Sequence, residues 1–205
     1  MVNYTEAIKR PFQDLKKLAI GVVLTIIPVV NLVVMGYVLQ NAKSAMKKNY
    51  KLTEWGNWWG LFVTGLLALV ISVVYAIPFL VVLFFTVGTA IVQRAVMPMG
   101  TLTNLPTLGA GFVVALIFGL ITAYFTPAAV LNYVTKNKFS AAFEFSEIKK
   151  RVFKTEYLAA WLVGGIYGGV VFMVLSFIPV IGILLGAFVV QLTFYTMVAE
   201  AWASK

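Results

Sequence analysis

Charge in this chain is confined to short islands. Between them run four tracts without a single Asp, Glu, Lys or Arg: Leu18 to Ala42, Trp55 to Gln93, Ala95 to Thr135 and Tyr157 to Ala199. A membrane helix needs only about 20 apolar residues, because a hydrocarbon core of ~30 Å is crossed at ~1.5 Å per residue. A soluble domain of 205 residues has no interior able to hide four such tracts. The chain reads as all-α and polytopic, a compact bundle of about six transmembrane helices. It is predicted to form a single integral membrane domain, 1–205. A β-barrel would alternate over segments of about ten residues instead of running unbroken.

Composition agrees: mean hydropathy is +0.96 and charged residues make up 11%, against roughly 25% in soluble domains. The start, MVNYTEAIKRPFQDLKK, is long and mixed in charge for a signal peptide, and no small-residue cleavage site follows, so no cleaved signal is expected. With no Cys and no His, the chain has no thiolate nucleophile, imidazole base or ordinary zinc ligand set. Its seven carboxylates are Glu6, Asp14, Glu54, Glu144, Glu147, Glu156 and Glu200, and all but Glu200 are intermixed with Lys and Arg. No catalytic, cofactor-binding or metal-ligating residue is therefore predicted, and the chain is not expected to be an enzyme. The net charge of +9 lies beside apolar spans, where it orients a membrane protein and meets lipid headgroups. Membrane lipid is the expected partner, with other membrane proteins or a second copy of the chain next; nucleic acid is not.

Three islands hold fourteen of the sixteen basic residues. The positive-inside rule places Met1–Lys17, Lys43–Glu54 and Lys136–Glu156 in the cytoplasm of a cell-membrane protein, with both termini cytoplasmic. An even number of crossings must then separate the islands. The last tract divides into two helices around IPVIG, Ile178 to Gly182. The first is either one span or two short helices hinged at IPVVN, Ile27 to Asn31, and the match between IPVVNLVVMGYVLQ and IPVIGILLGAFVVQ favours the hinge. In the middle, a long helix from about Trp58 bends near Pro78, with Met97–Gly109 outside. The alternative breaks the chain fully there. Pro28, Pro78, Pro127 and Pro179 recur at near-even spacing and are predicted as helix breaks, whether as relics of a repeat or as ordinary kinks.

Helices in lipid associate through close packing of small residues. Gly56 and Gly60 open one small-residue stripe, Gly111 and Gly119 lie in a second, and Gly164/Gly168 with Gly165/Gly169 form interleaved pairs. Gly182/Gly186 would face them. All ten are predicted packing positions, inside the bundle or, alternatively, at a dimer seam. Trp55, Trp58, Trp59, Trp161 and Trp202 are predicted as interfacial aromatics. The stretch 136–156 reads as an amphipathic cytoplasmic linker, with Phe145, Ile148 and Val152 on one face and Lys149, Lys150, Arg151 and Lys154 meeting anionic lipid. Tyr4, Ile8, Phe12 and Leu15 stripe an interfacial N-terminal segment, 1–17.

The order GYVLQNAKSAMKKNYKLTEWGNWWGLFVTGL, then AYFTPAAVLNYVTKNKFSAAFEFSEI, resembles the mostly archaeal membrane family called domain of unknown function 4013. The resemblance rests on Gly36-Tyr37, Glu54-Trp55 before Leu61-Phe62, Gly65-Leu66, Pro127 with Tyr133, and the AAFEF segment from Ala141. It departs at Thr53, where the family pattern leads to Pro. It implies a membrane protein of six or so helices and no assigned activity. The reading of function is a non-enzymatic scaffold or accessory subunit acting through helix packing and a basic cytoplasmic face. The alternatives are a small carrier or channel for an apolar or lipid-like solute, and a membrane-shaping protein.

Overall fold

A computed structural model describes residues 1–96 and 105–204, and every regular element among them is helical. The order is α1 (Tyr4–Lys9), a 3-10 turn (Arg10–Phe12), α2 (Leu15–Thr25), α3 (Asn31–Ala45), α4 (Trp58–Val96) and α5 (Leu105–Lys136). A second 3-10 turn (Phe139–Phe143), α6 (Phe145–Val152), α7 (Thr155–Leu175) and α8 (Ile181–Ala203) complete it. Of the expected outer stretch Met97–Gly109, residues 97–104 lie outside the described residues.

Among the described residues four stretches are long and apolar enough to cross a membrane: Trp58–Gly88, Gly109–Lys136, Thr155–Leu175 and Ile181–Ala203. The first tract is two helices of 11 and 15 residues, parted at Ile26–Val30 around Pro28. At ~1.5 Å per residue they reach about 17 and 23 Å, short of a ~30 Å core. Among the described residues, then, four helices are long enough to cross, and the first tract takes the form of two short helices parted at Pro28.

The four prolines divide into two kinds. Pro28 and Pro179 stand in breaks between helices, whereas Pro78 and Pro127 lie inside continuous helices and break nothing. A helix-interior proline leaves the carbonyl four residues earlier without its amide donor, and in membranes nearby hydroxyls compensate. At Pro78 the carbonyl so freed is that of Val74; one residue on, Thr122 Oγ1 of α5 donates to the Tyr75 carbonyl at 3.2 Å and ties the two helices together there.

The chain forms two compact units, Met1–Ile71 with Pro127–Lys205, and Ser72–Thr126. In the smaller, the facing stretches of α4 and α5 approach at small residues. A Cβ on Gly111 would lie 2.7 Å from Thr86 and one on Gly119 3.4 Å from Phe79. In the larger, α8 is the central element, packed on α7, α3, α2 and α1. Its Phe188, Leu192, Met197, Val198 and Trp202 are buried.

Local signals start and stop these helices. Asn3 caps α1 through the Glu6 amide, Asp14 caps α2 through the amides of Lys16 and Lys17, and Asn57 caps α4 through the Gly60 amide. Asn137, directly after α5, takes the left-handed conformation (φ 52°) that short polar side chains tolerate at a helix end. The turn into α8 is less comfortable: Val180 sits at φ 63°, costly for a β-branched residue.

Candidate functional site

Ion pairs and side-chain hydrogen bonds gather the three basic islands of the larger unit at one end. Lys17 reaches Glu54 at 2.7 Å, Lys43 reaches Asn137 at 2.9 Å, Lys48 reaches Glu200 at 2.5 Å, and Arg151 reaches the Trp202 carbonyl at 2.5 Å.

At its heart lies Arg10, fully buried in the first 3-10 turn. Its Nη1 donates to Thr196 Oγ1 at 3.1 Å; its Nη2 is shared among Asn41 Oδ1 (3.2 Å), Ser44 Oγ (2.6 Å) and the Asn49 carbonyl (3.4 Å). Burial pushes its pKa down to about 10, against the pull of Tyr37, Glu200 and Tyr50, so it stays charged at neutral pH. Asn41 is itself saturated. Its Oδ1 accepts from Arg10 and from the Thr53 amide, and its Nδ2 donates to the Tyr37 carbonyl and to Thr53 Oγ1.

The second buried charge is Glu200, 3% exposed in α8. Its Oε2 accepts from Lys48 Nζ, from Tyr50 Oη at 2.9 Å and from the Asn3 amide at 3.0 Å. Burial, then Glu200, pushes the Tyr50 phenol up to about 12. Together Arg10 and Glu200 latch the N-terminal segment and the α3–α4 loop onto α8. That segment is held through Ala7, Arg10 and Pro11, while the Ile8, Phe12 and Leu15 stripe stays exposed.

The residues singled out from sequence fall into distinct places. Trp55, expected at an interface, stacks on Tyr37 (centroids 3.7 Å apart, planes 7°), and its Nε1 donates to the Lys17 carbonyl. Trp202, also expected there, is 2% exposed, with the Arg151 guanidinium 4.8 Å above its ring. Trp58 and Trp59 are exposed and Trp161 half-buried. Of the four predicted lipid contacts, Arg151 and Lys154 turn inward to the C-terminal carbonyls of α8, at Trp202 and Ser204. Lys150 pairs with Glu147 at 3.6 Å, and Lys149 stays exposed. Beneath them Ile148 and Val152 are buried, while Phe145 is exposed.

The glycines separate likewise. Gly164 and Gly168 are buried, where a Cβ would come within 2.8 Å of Phe194 and 2.9 Å of Val190 on α8. Gly186 faces Phe172, and Gly182 abuts the Leu175 carbonyl. Gly56, Gly165 and Gly169 have open space on that side, and Gly60 meets only the capping Asn57. The tightest approach between helices lies elsewhere. A Cβ on Gly36 would overlap the Leu61 carbonyl, and one on Gly65 the Leu32 carbonyl, so the α3 and α4 backbones touch. Spacing rules for small residues missed this pair, because each helix contributes one glycine.

Beside that contact lies a cavity of about 250 Å³, bounded by Gly36, Gln40 and Lys43 of α3, Asn57 and Gly60 at the start of α4, and the end of α5.

A family model described as protein of unknown function (DUF4013) matches residues 20–180, most of the chain. The chain belongs to the DUF4013 family. No curated protein and no solved structure matches it. The DUF4013 match takes in the whole cavity, the α3–α4 contact and Asn41, while Arg10, Thr196 and Glu200 lie outside it.

Proposed function

We propose that this DUF4013 protein is a non-enzymatic integral membrane scaffold or accessory subunit whose basic end faces the cytoplasm and docks a partner. The observation that carries this reading is the division of labour at that end. Five of the seven carboxylates are already engaged: Asp14 caps α2, Glu54, Glu144 and Glu147 pair with Lys17, Lys136 and Lys150, and Glu200 holds the N-terminal latch. Lys9, Lys16, Lys47, Lys51, Lys138 and Lys149 stay exposed, with no ion pair among the described residues. The inner charges fix the helices, and the outer ones form a face for an acidic partner surface. Its orientation follows from the positive-inside rule.

Purification from native membrane in mild detergent tests this. A stoichiometric protein partner is expected, cross-linked through the outer lysines and lost when Lys47, Lys51 and Lys149 are replaced by Glu. A chain that purifies alone and carries a solute across liposomes would overturn the reading in favour of a small carrier.

A further inference from the structure

We propose that the cavity between α3, the start of α4 and the end of α5 is a binding site for a phosphate group, either free or carried by a lipid headgroup. The proposal does not depend on the scaffold reading.

Charge comes first. Lys43 lines the cavity and makes no ion pair among the described residues; its Nζ is steadied only by Asn137 Oδ1, at 2.9 Å. An ammonium carries three donors and no acceptor, so one neutral partner leaves it able to take an anion. No Asp or Glu is in the lining, and Glu54 and Glu144, in the segments that follow α3 and α5, are paired with Lys17 and Lys136.

The rest of the wall suits an oxyanion. Gln40, Asn57 and Asn137 bring amide groups, while the Thr64 hydroxyl is spent on the Gly60 carbonyl at 2.8 Å and Tyr133 is bonded to Thr64. The positive end of a 39-residue helix opens at the Asn57 cap. Gly36 and Gly60 complete the wall, their Cβ directions filled by the Leu61 backbone and by Asn57.

Size limits the ligand. At about 250 Å³ the cavity falls below the roughly 300–1,000 Å³ of sites for drug-sized molecules. A compact, multiply accepting group such as phosphate fits, and Lys is a usual binder of it. Exposed Trp58 and Trp59 on the adjoining turn suit the depth at which lipid headgroups lie.

The test uses the full chain in uncharged detergent, titrated with inorganic phosphate, and in nanodiscs of phosphatidylcholine containing increasing phosphatidylglycerol. Saturable binding is expected in at least one arm. Saturation by inorganic phosphate marks a free-phosphate site, and saturation by phosphatidylglycerol alone marks a headgroup site. Lys43→Gln should weaken binding about tenfold or more, the scale of one lost charge-assisted contact. Gln40→Glu, at an exposed rim position, should do the same by placing a negative charge at the mouth while the unfolding temperature stays unchanged. Lys47→Gln, an exposed lysine one turn away and outside the lining, should weaken binding clearly less, by about threefold at most, since it is solvated and does not touch the bound group. No saturable binding in either arm would overturn the proposal. So would equal losses in Lys43→Gln and Lys47→Gln, or full binding by Gln40→Glu.

Discussion

Arg151 closes the end of α8 twice over, its Nη1 donating to the Trp202 carbonyl at 2.5 Å while its guanidinium lies 4.8 Å from the centroid of the Trp202 ring. A cation at a helix C-terminus meets carbonyls that have no amide partner, and the indole beneath adds a cation–π contact. Arg151→Ala is expected to destabilise the detergent-solubilised protein by about 1.5–3 kcal/mol, the range for a charge-assisted hydrogen bond. Lys149→Ala, two residues back on the other side of α6 and exposed, should cost under about 0.5 kcal/mol. Equal unfolding temperatures for the two variants would show that Arg151 is a surface charge after all.

The α3–α4 contact leaves no room for any side chain at Gly36 or Gly65. Gly36→Ala should cost roughly 1–3 kcal/mol or more, because a methyl group meets the Leu61 backbone carbonyl and a backbone cannot rotate away. Gly165→Ala and Gly169→Ala, which meet nothing, should be neutral or stabilise by up to about 1 kcal/mol through helix propensity. Thermal unfolding of the three variants reads the difference directly.

The neutral Tyr50 phenol is favoured in the folded protein, where its pKa rises from near 10 to about 12. The sign follows from linkage: a raised pKa gives stability that is whole below the unfolded value and lost as pH climbs through the folded one. Stability should hold to about pH 10 and fall between about 10 and 12. The difference in tyrosinate absorbance between the parent and Tyr50→Phe should titrate near 12. Titration of that difference near 10 would place Tyr50 free of Glu200.

Thr53 joins the α3–α4 loop to Asn41 through both its amide and its hydroxyl. Thr53→Pro removes both bonds and should cost roughly 1–3 kcal/mol through the buried Asn41 groups left unpaired. Unfolding temperature checks this, with Thr53→Ser, which keeps both groups, expected near the parent.

The helical membrane architecture was legible because apolar length is a one-dimensional signal. The break at Pro28 could be read because a charged island follows that tract and requires a return, and the break at Pro179 because the last tract is long enough for two spans. Pro78 and Pro127 could not be separated from them by spacing. A proline breaks a helix or merely bends it according to its tertiary surroundings, and at Pro78 α5 holds the bend through Thr122, bonded to the Tyr75 carbonyl. The glycines failed in a related way, since Gly164 and Gly165 are adjacent in sequence and only the position of α8 decides which is covered. Gly36, Leu61 and Gly65, which carry the family resemblance, build the α3–α4 contact, and Tyr37 stacks on Trp55 in the loop between those helices. Glu200 is a correction: five residues from the end, it reads from sequence as a carboxylate reaching the cytoplasmic interface, whereas the structure buries it to 3% exposure and supplies Lys48, Tyr50 and the Asn3 amide as donors.

The account turns on the three basic islands forming one face on one side of the membrane. The chain has no cysteine, so single cysteines report without background. Lys47→Cys and Ser140→Cys stand on two of the islands and both positions are exposed; Thr103→Cys stands on the stretch read from sequence as external. In intact cells a membrane-impermeant maleimide is expected to label Thr103→Cys alone, and all three once the membrane is opened. Labelling of Lys47→Cys or Ser140→Cys in intact cells, or protection of Thr103→Cys there, would contradict it.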